Sequence, residues 1–371
     1  MATWQENENK GAGKLNETSN VKKNAVRDVA LDYIRVIAMF MVVIDHIAFM
    51  RRDTWIVRRM FEFAVFKPLG IIQYFGAFGV CIFFLLSGYL FLPSFNRRMP
   101  GICGEIRFTC RKLLGLWLPC VCAFAFFFVF QRVVGTITPL GRYWFQFSAS
   151  DWIEAMTLTS FFIGSYDKIN ITWFLIPLVI FYAFYSHLQN MRIKEQCKPL
   201  ILQGGVLVMY FLGKIFPSVP PFVALGHYSW CITLIIAGII LYQMKAGVFS
   251  RRLGVVFLAI NYLVTLLGLY LYEKRYLGDE PYLISFIYAL FLFVALPKLG
   301  LRQNKVVMFL SDISFSVYLL HMTVGGLVMS LFENRIRYTF AVCVALLSCF
   351  LCSAIFCYFV EKPIRRILRK L

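Results

Sequence analysis

Residues 31–47 read LDYIRVIAMFMVVIDHI, an apolar run long enough to form most of a membrane-spanning helix. Four ionisable side chains interrupt this run: Asp32, Arg35, Asp45 and His46. Charged groups at membrane depth are costly, and they usually pair with one another or serve a function. How the helix accommodates these four groups therefore decides both the fold and the chemistry of the chain.

The composition of the whole chain supports a membrane protein. Hydrophobic residues make up 60% of the 371 positions and charged residues 15%, whereas soluble domains are about half apolar and a quarter charged. We therefore predict an all-α fold, a polytopic integral membrane helix bundle of about ten transmembrane helices. The predicted spans cover approximately residues 31–49, 71–92, 113–134, 171–189, 199–216, 221–243, 253–272, 281–298, 311–332 and 338–360.

The distribution of basic residues predicts the topology. An even number of spans puts both termini on one side of the membrane. If that side is the cytoplasm, about two thirds of the 38 Lys and Arg residues fall in cytoplasmic segments, as the positive-inside rule requires. The net charge of +19 then reflects contact with an anionic lipid bilayer. No basic-aromatic nucleic-acid module is present, so we predict no nucleic-acid partner.

The chain is predicted to contain one membrane domain, residues 28–371. Residues 1–27 are polar and rich in Asn, Lys and Glu, which predicts a disordered tail rather than a signal peptide. The loop 135–170 contains apolar and aromatic residues that predict a helix lying in the membrane interface. Most of the 11 cysteines lie in apolar runs, and no spacing resembles a metal site. We therefore predict no metal.

Helix geometry places three of the ionisable residues of the first span on one side. Arg35 and His46 are eleven residues apart, which separates them by about 20° around the axis and roughly 16 Å along it. Asp32 lies on the same side. Three explanations fit: structural pairing and hydrogen bonding, a proton relay, and a catalytic histidine reached by a substrate whose anionic end Arg35 holds. The residues favour function without choosing between relay and enzyme.

The same stretch resembles the opening motif of acyltransferase family 3, polytopic membrane acyltransferases that act on sugars and other hydroxyls. The motif is a basic residue, ten intervening residues and a histidine, preceded by an aspartate; here these are Arg35, His46 and Asp32. Further segments resemble the landmarks of the family in order: GVCIFFLLSGYLF (79–91), ITWFLIPLVIFY (171–182), SFSVYLLHM (314–322) and VEKPIRR (360–366). In RKLLGLWLP, however, Gly115 stands where the family usually has the second of two arginines.

The resemblance implies an O-acyltransferase of the cell membrane, in bacteria the cytoplasmic membrane. Its donor would be an acyl-CoA, commonly acetyl-CoA, and its acceptor a hydroxyl of a surface polysaccharide, another carbohydrate or another component of the cell envelope. His46 would be the general base, or alternatively the nucleophile of an acyl-enzyme step, with Arg35 and Asp32 beside it in the catalytic group. Four cations would hold the phosphates of the donor: Arg35, Arg107, Arg111 and Lys112.

Six further residues are candidates for substrate binding or support: Ser87, Trp173, Ser314, Tyr318, His321 and Glu361. Each has a structural alternative, such as close packing for the serine of span two, an interfacial anchor for the tryptophan, and interhelical hydrogen bonds for the trio in span nine. The glutamate is expected to end the last span and pair with a basic loop.

A function of another class, export or transport of a glycan or lipid-linked intermediate, also stays open. Against it, the sequence has no internal repeat and no corresponding pair of Gly/Pro-broken spans. The sequence does not indicate the oligomeric state.

Overall fold

The computed structural model describes residues 27–49, 51, 54–70, 75–97, 101–137, 148–159, 173–273, 281–332 and 334–370. Within these ranges every helix or strand element is a helix. The predicted tail lies outside them except for Arg27, and so does most of the loop 135–170.

The α-helices of five or more residues are α1 (Val29–Ile44), α2 (Ile56–Phe61), α3 (Phe75–Tyr89), α4 (Phe91–Phe95), α5 (Gly101–Ile137), α6 (Ala149–Thr157), α7 (Leu175–Asn190), α8 (Lys198–Ile215), α9 (Pro220–Tyr228), α10 (Trp230–Lys245), α11 (Arg251–Glu273), α12 (Pro281–Ala295), α13 (Lys305–Leu320), α14 (Gly326–Phe332), α15 (Tyr338–Phe356) and α16 (Lys362–Lys370). Short π-helical turns join α13 to α14 and α15 to α16, and another extends α1 to Phe49.

Eight helical stretches among the described residues are long and apolar enough to cross a membrane. They are Phe75–Phe95, Gly101–Val129, Lys198–Ile215, Pro220–Lys245, Arg251–Tyr272, Tyr282–Leu299, Lys305–Phe332 and Tyr338–Lys370. The other two predicted spans are also helical; α1 is interrupted by charges and α7 has 16 residues. The chain is a multi-pass membrane helix bundle, and ten spans with cytoplasmic termini stay a prediction.

Two predicted spans were too short. The helix that contains the third predicted span, α5, begins at Gly101 rather than near residue 113. The last helical stretch reaches Lys370 rather than residue 360. Both extra segments are rich in Arg and Lys, which ended the apolar run in the sequence. These residues have good helix propensity, so the helix continues where the hydrophobic pattern stops.

Helix α3 lies at the centre of the bundle and packs against α1, α10 and α12. Glycines allow its close contact with α10. A Cβ on Gly88 would fall 1.8 Å from the carbonyl oxygen of Ile235, and one on Gly238 would fall 1.9 Å from that of Leu85. Small residues let two helix backbones approach in this way, which is how helices pack in membranes without a hydrophobic driving force.

Helix α6 occupies part of the segment in which we predicted an interfacial helix. It begins with a capping box formed by Ser148 and Asp151. Its tryptophan, Trp152, is buried against Phe124 of α5, and Trp117 Nε1 of α5 donates a hydrogen bond to a backbone oxygen of α6 at 2.6 Å. The helix is therefore docked on α5.

Replacing Gly88 with alanine should lower the Tm of the purified protein, because the added methyl group would overlap the Ile235 carbonyl and push α3 away from α10. Overpacking of this kind costs about 1–3 kcal/mol, and occasionally more. The matched control is Gly204→Ala, since nothing lies within 4 Å of a Cβ at Gly204 on α8. Both are compared by thermal unfolding in one detergent. An unchanged Tm in Gly88→Ala would contradict the close approach.

Candidate active site

Asp32, in the first turn of α1, is buried and accepts hydrogen bonds from three side chains. Ser311 Oγ on α13 donates at 2.7 Å, Arg27 Nη2 at 3.0 Å and Arg35 Nη1 at 3.2 Å. The Asp32 side chain is 2% exposed, whereas Arg35 is 29% exposed and reaches a cavity. The buried Asp32 carboxylate is therefore paired, and Arg35 is still exposed enough to bind another ligand in the cavity.

Asp45 has a different role, at the far end of α1. It is buried, and its carboxylate accepts hydrogen bonds from the backbone N–H groups of Phe75 and Gly76, the first residues of α3. Amide groups at a helix N-terminus lack intrahelical partners and favour a negative charge. Asp45 thus caps α3 and ties it to α1.

The next residue, His46, meets His321 of the neighbouring element. Both histidines lie in π-helical turns, Asp45–Phe49 and His321–Gly325, which continue α1 and α13. Their ring centroids are 5.1 Å apart and the ring planes are inclined by 57°. Single π-helical turns within α-helices occur frequently at functional sites.

The hydrogen bonds of the two imidazoles set their tautomers. His46 Nδ1 lies 2.9 Å from the carbonyl oxygen of Val42, and His321 Nδ1 lies 2.6 Å from that of Tyr318. A carbonyl oxygen only accepts, so in each neutral ring Nδ1 carries the proton and Nε2 has the lone pair. His46 is half-buried, whereas His321 is buried and its Nε2 has no hydrogen-bond partner among the described residues.

A cavity of about 620 Å³ is lined in part by Tyr318, whose ring contacts that of His321, and its charged residues are mainly basic. Six cations line it: Arg35, Lys112, Lys362, Arg365, Arg366 and Arg369. Two carboxylates also line it, and both are already ion-paired, Asp312 with Arg27 at 2.9 Å and Glu361 with Arg365 at 2.6 Å. The cavity therefore favours an anionic ligand.

Aromatic rings also line the cavity. The Tyr318 ring lies 5.1 Å from that of Phe174 and 5.7 Å from that of His321, measured between centroids. Trp173 stacks on Tyr228 with centroids 6.2 Å apart. Neither histidine is among the lining residues, so a row of rings leads from the cavity through Tyr318 to His321 and then to His46.

The chain was compared with known proteins. The model of one protein family, described as an acyltransferase domain, matches residues 28–358. The chain belongs to acyltransferase family 3. It is therefore a membrane acyltransferase at the level of the family. A search of curated proteins and a search of solved structures found no match.

The structure brings together most of the residues that the resemblance to acyltransferase family 3 singled out. The following predicted site residues line the cavity: Arg35, Ser87, Lys112, Trp173, Ser314, Tyr318 and Glu361. Arg111 lines a second, adjoining cavity, while Arg107 lies on the exposed face of α5, outside both. The four cations of the predicted donor site are therefore spread over two cavities, and Arg107 lines neither of them.

Ring contacts connect the cavity to the histidine of the family motif. Tyr318 lines the cavity and contacts His321, and His321 contacts His46. That the arm of the donor reaches His46 stays a prediction. Asp32, predicted in the catalytic group, contacts Arg35 and α13. Asp32 thus holds Arg35, the arginine of the family motif, in position.

Glu361 was expected to pair with a basic loop. Instead it lies within a continuous helical stretch, accepts a hydrogen bond from Ser316 Oγ at 2.5 Å and pairs with Arg365. Sequence reasoning missed Arg365 and Arg369 because it attributed the basic tail to topology. Their i, i+4 spacing would have shown that both project from one helix face.

Replacing Asp32 with alanine should sharply reduce the amount and the Tm of folded protein, because Arg27 and Arg35 would keep their charges and lose their shared partner. Breaking a buried ion pair on one side costs about 3–5 kcal/mol. The control is Asp28→Ala, since Asp28 forms a mainly exposed pair with Lys245 at 3.4 Å, and such pairs contribute about 0–1 kcal/mol. Equal Tm values for the two variants, measured in one detergent, would contradict the role of Asp32.

Proposed function

We propose that the chain transfers an acyl group, acetyl in the first instance, from acyl-CoA to a hydroxyl of a carbohydrate or another cell-surface acceptor. His46 acts as the general base. The observation that carries this proposal is the pair His46–His321, which ring contacts connect through Tyr318 to a cavity with excess positive charge. Family membership supports the transfer of an acyl group, and the geometry suggests which residues perform it.

The cavity suits a CoA thioester as the donor. Such a molecule carries phosphates at its nucleotide end and the thioester at the end of a long, thin arm. Arg35 and Lys112 can pair with phosphates, and the wall formed by Phe83, Phe174 and Tyr318 can contact the arm. The volume of about 620 Å³ lies within the usual range for small-molecule sites.

The environment of His46 suits a general base. A hydroxyl is a weak nucleophile until a base takes its proton as attack begins. The bond from Nδ1 to Val42 holds the ring and leaves the Nε2 lone pair for this proton. Because His46 is half-buried, and Arg35 lies roughly 16 Å away along the helix, donor and acceptor can approach from opposite ends of α1.

The proposed step balances as follows. His46 Nε2 takes the proton of the acceptor hydroxyl while the hydroxyl oxygen forms a bond to the thioester carbonyl carbon. The carbon–sulfur bond then breaks, the ester is released, and the protonated histidine returns the proton to the departing thiolate of CoA. Direct transfer of this kind requires no acyl-enzyme intermediate.

His321 is proposed as a positioning residue. Its Nδ1–H is fixed by the Tyr318 carbonyl, and its ring contacts His46 at 5.1 Å between centroids. A neutral imidazole with an available lone pair, placed beside His46, can stabilise the imidazolium that forms during transfer.

The replacement His46→Asn tests the base. Asparagine can keep a hydrogen bond to the Val42 carbonyl but has no basic nitrogen, so acyl transfer should fall by about 10²–10⁴-fold. The measurement is release of free CoA from acetyl-CoA by purified protein with a panel of sugar hydroxyl acceptors.

The control for this experiment is His187→Asn. His187 is 67% exposed and faces Glu105, so its replacement should leave the rate unchanged. Both variants are first compared with the parent protein by size-exclusion chromatography and Tm. Near-normal transfer by a well-folded His46→Asn variant would rule out His46 as the base.

Lys112→Met tests the donor cavity. Loss of this cation should raise the apparent KM for acetyl-CoA about tenfold or more with little change in kcat, because hydrogen bonds to charged groups contribute about 1.5–3 kcal/mol. Arg252→Met, at the exposed start of α11, is the control. An unchanged KM in Lys112→Met would exclude this lysine from donor binding.

A further inference from the structure

The C-terminal helix α16 is a docked part of the bundle. Its only buried residue, Leu368, is 4% exposed, and its Cδ1 lies 3.9 Å from the position of a Cβ on Gly115 of α5. At Gly115, where the family usually has an arginine, this chain therefore has a helix seated against α5.

A second cavity, of about 540 Å³, lies along this contact and adjoins the first. Arg365 and Arg369 of α16 line both cavities, and so does Lys112 of α5. With Arg97 and Arg111, the second cavity has five lining cations, and none of its lining residues is acidic. A basic surface therefore runs continuously from the second cavity into the first.

The position of Arg365 is fixed by buried partners. Glu361 is 1% exposed; one of its oxygens pairs with Arg365 Nη2 at 2.6 Å and the other accepts a hydrogen bond from Ser316 Oγ at 2.5 Å. Arg369 lies one helical turn further along the same face. Arg365 is thus held in place before any ligand arrives, which reduces the entropy cost of binding.

The five cations that line the second cavity repel one another unless an anion lies between them. A ligand with several phosphates is the chemistry that fits, because guanidinium groups bind phosphate oxygens through paired hydrogen bonds. A single carboxylate would leave most of the five cations unmatched. The continuity of the two cavities also suits a ligand with phosphates at one end and an uncharged arm at the other.

We propose that the second cavity binds the phosphorylated nucleotide end of the donor and that Arg369 and Arg365 of α16 are phosphate ligands there. In this chain they supply the charge that Gly115 does not. The inference rests on the proposed acyl-CoA donor and extends it to a particular site. The phosphates of an anionic lipid headgroup share the same chemistry, and the test separates the two sources.

The test uses Arg369→Ala, because removing Arg365 would leave a buried carboxylate unpaired. The matched control is Lys370→Ala, the next residue of the same helix, which is exposed and lines neither cavity. Binding of free CoA to the full-length protein in detergent is measured by calorimetry. Arg369→Ala should weaken binding about tenfold or more, and Lys370→Ala should leave it unchanged. Equal affinities in the two variants would overturn the proposal.

Three further measurements complete the design. In Arg369→Ala the apparent KM for acetyl-CoA should rise, while the rate with S-acetyl-N-acetylcysteamine, a thioester without phosphates, should not change. Dephospho-CoA should bind the parent protein more weakly than CoA. Phosphatidylglycerol is titrated separately: if it raises the Tm in an Arg369-dependent manner while CoA binding does not depend on Arg369, the site belongs to a lipid and the proposal is wrong.

The calorimetric result does not depend on catalysis. If neither thioester is turned over by the parent protein, the proposed function fails, and CoA binding that depends on Arg369 would still support the phosphate site. If both thioesters are turned over and Arg369→Ala binds CoA normally, the proposed function stands and the site on α16 is excluded.

Discussion

The buried carboxylate of Asp32 is the interaction on which the geometry of the site depends. A lone charge at this depth is expensive, so α1 is stable in the bundle only where Ser311 and the guanidinium groups of Arg27 and Arg35 can reach it. This requirement fixes α1 against α13. It also turns Arg35 toward the cavity, because the side of its guanidinium that pairs with Asp32 is already occupied.

The far ends of α1 and α13 meet through their π-helical turns. His46 and His321 come into ring contact there, and Gly325 permits the approach, since a Cβ on it would fall 2.3 Å from Ile47 Cδ1. The pairing of Asp45 with the first amides of α3 holds the same region from the other side. Two of the four ionisable groups in the opening stretch, Asp32 and Asp45, are therefore fixed to other helices. Arg35 pairs with Asp32 on α1, and His46 keeps a basic nitrogen.

Electrostatics divide the site into two parts. The cations of α5 and α16 surround connected cavities at one end, where only ion-paired carboxylates are present among the lining residues. The histidine pair lies beyond an aromatic wall. The rings of Phe174 and Tyr318 therefore lie between the charge that attracts a polyanion and the ring of His321, which Tyr318 contacts.

The sequence by itself determined the fold class, the family and the approximate helix positions, because apolar runs and the order of five short motifs are local properties. It also placed Arg35 and His46 on one side of one helix, as candidates for a functional role. Only the tertiary structure connected the cavity to His46 through the rings of Tyr318 and His321, and only it brought Arg365 and Arg369 to the cavities that Lys112 lines. Those relations join residues far apart in the chain, and hydrophobic periodicity carries no information about which helices meet. The basic C-terminal segment is an example. Its composition alone predicts only the topology, whereas its packing against Gly115 places Arg365 and Arg369 in the lining of the second cavity.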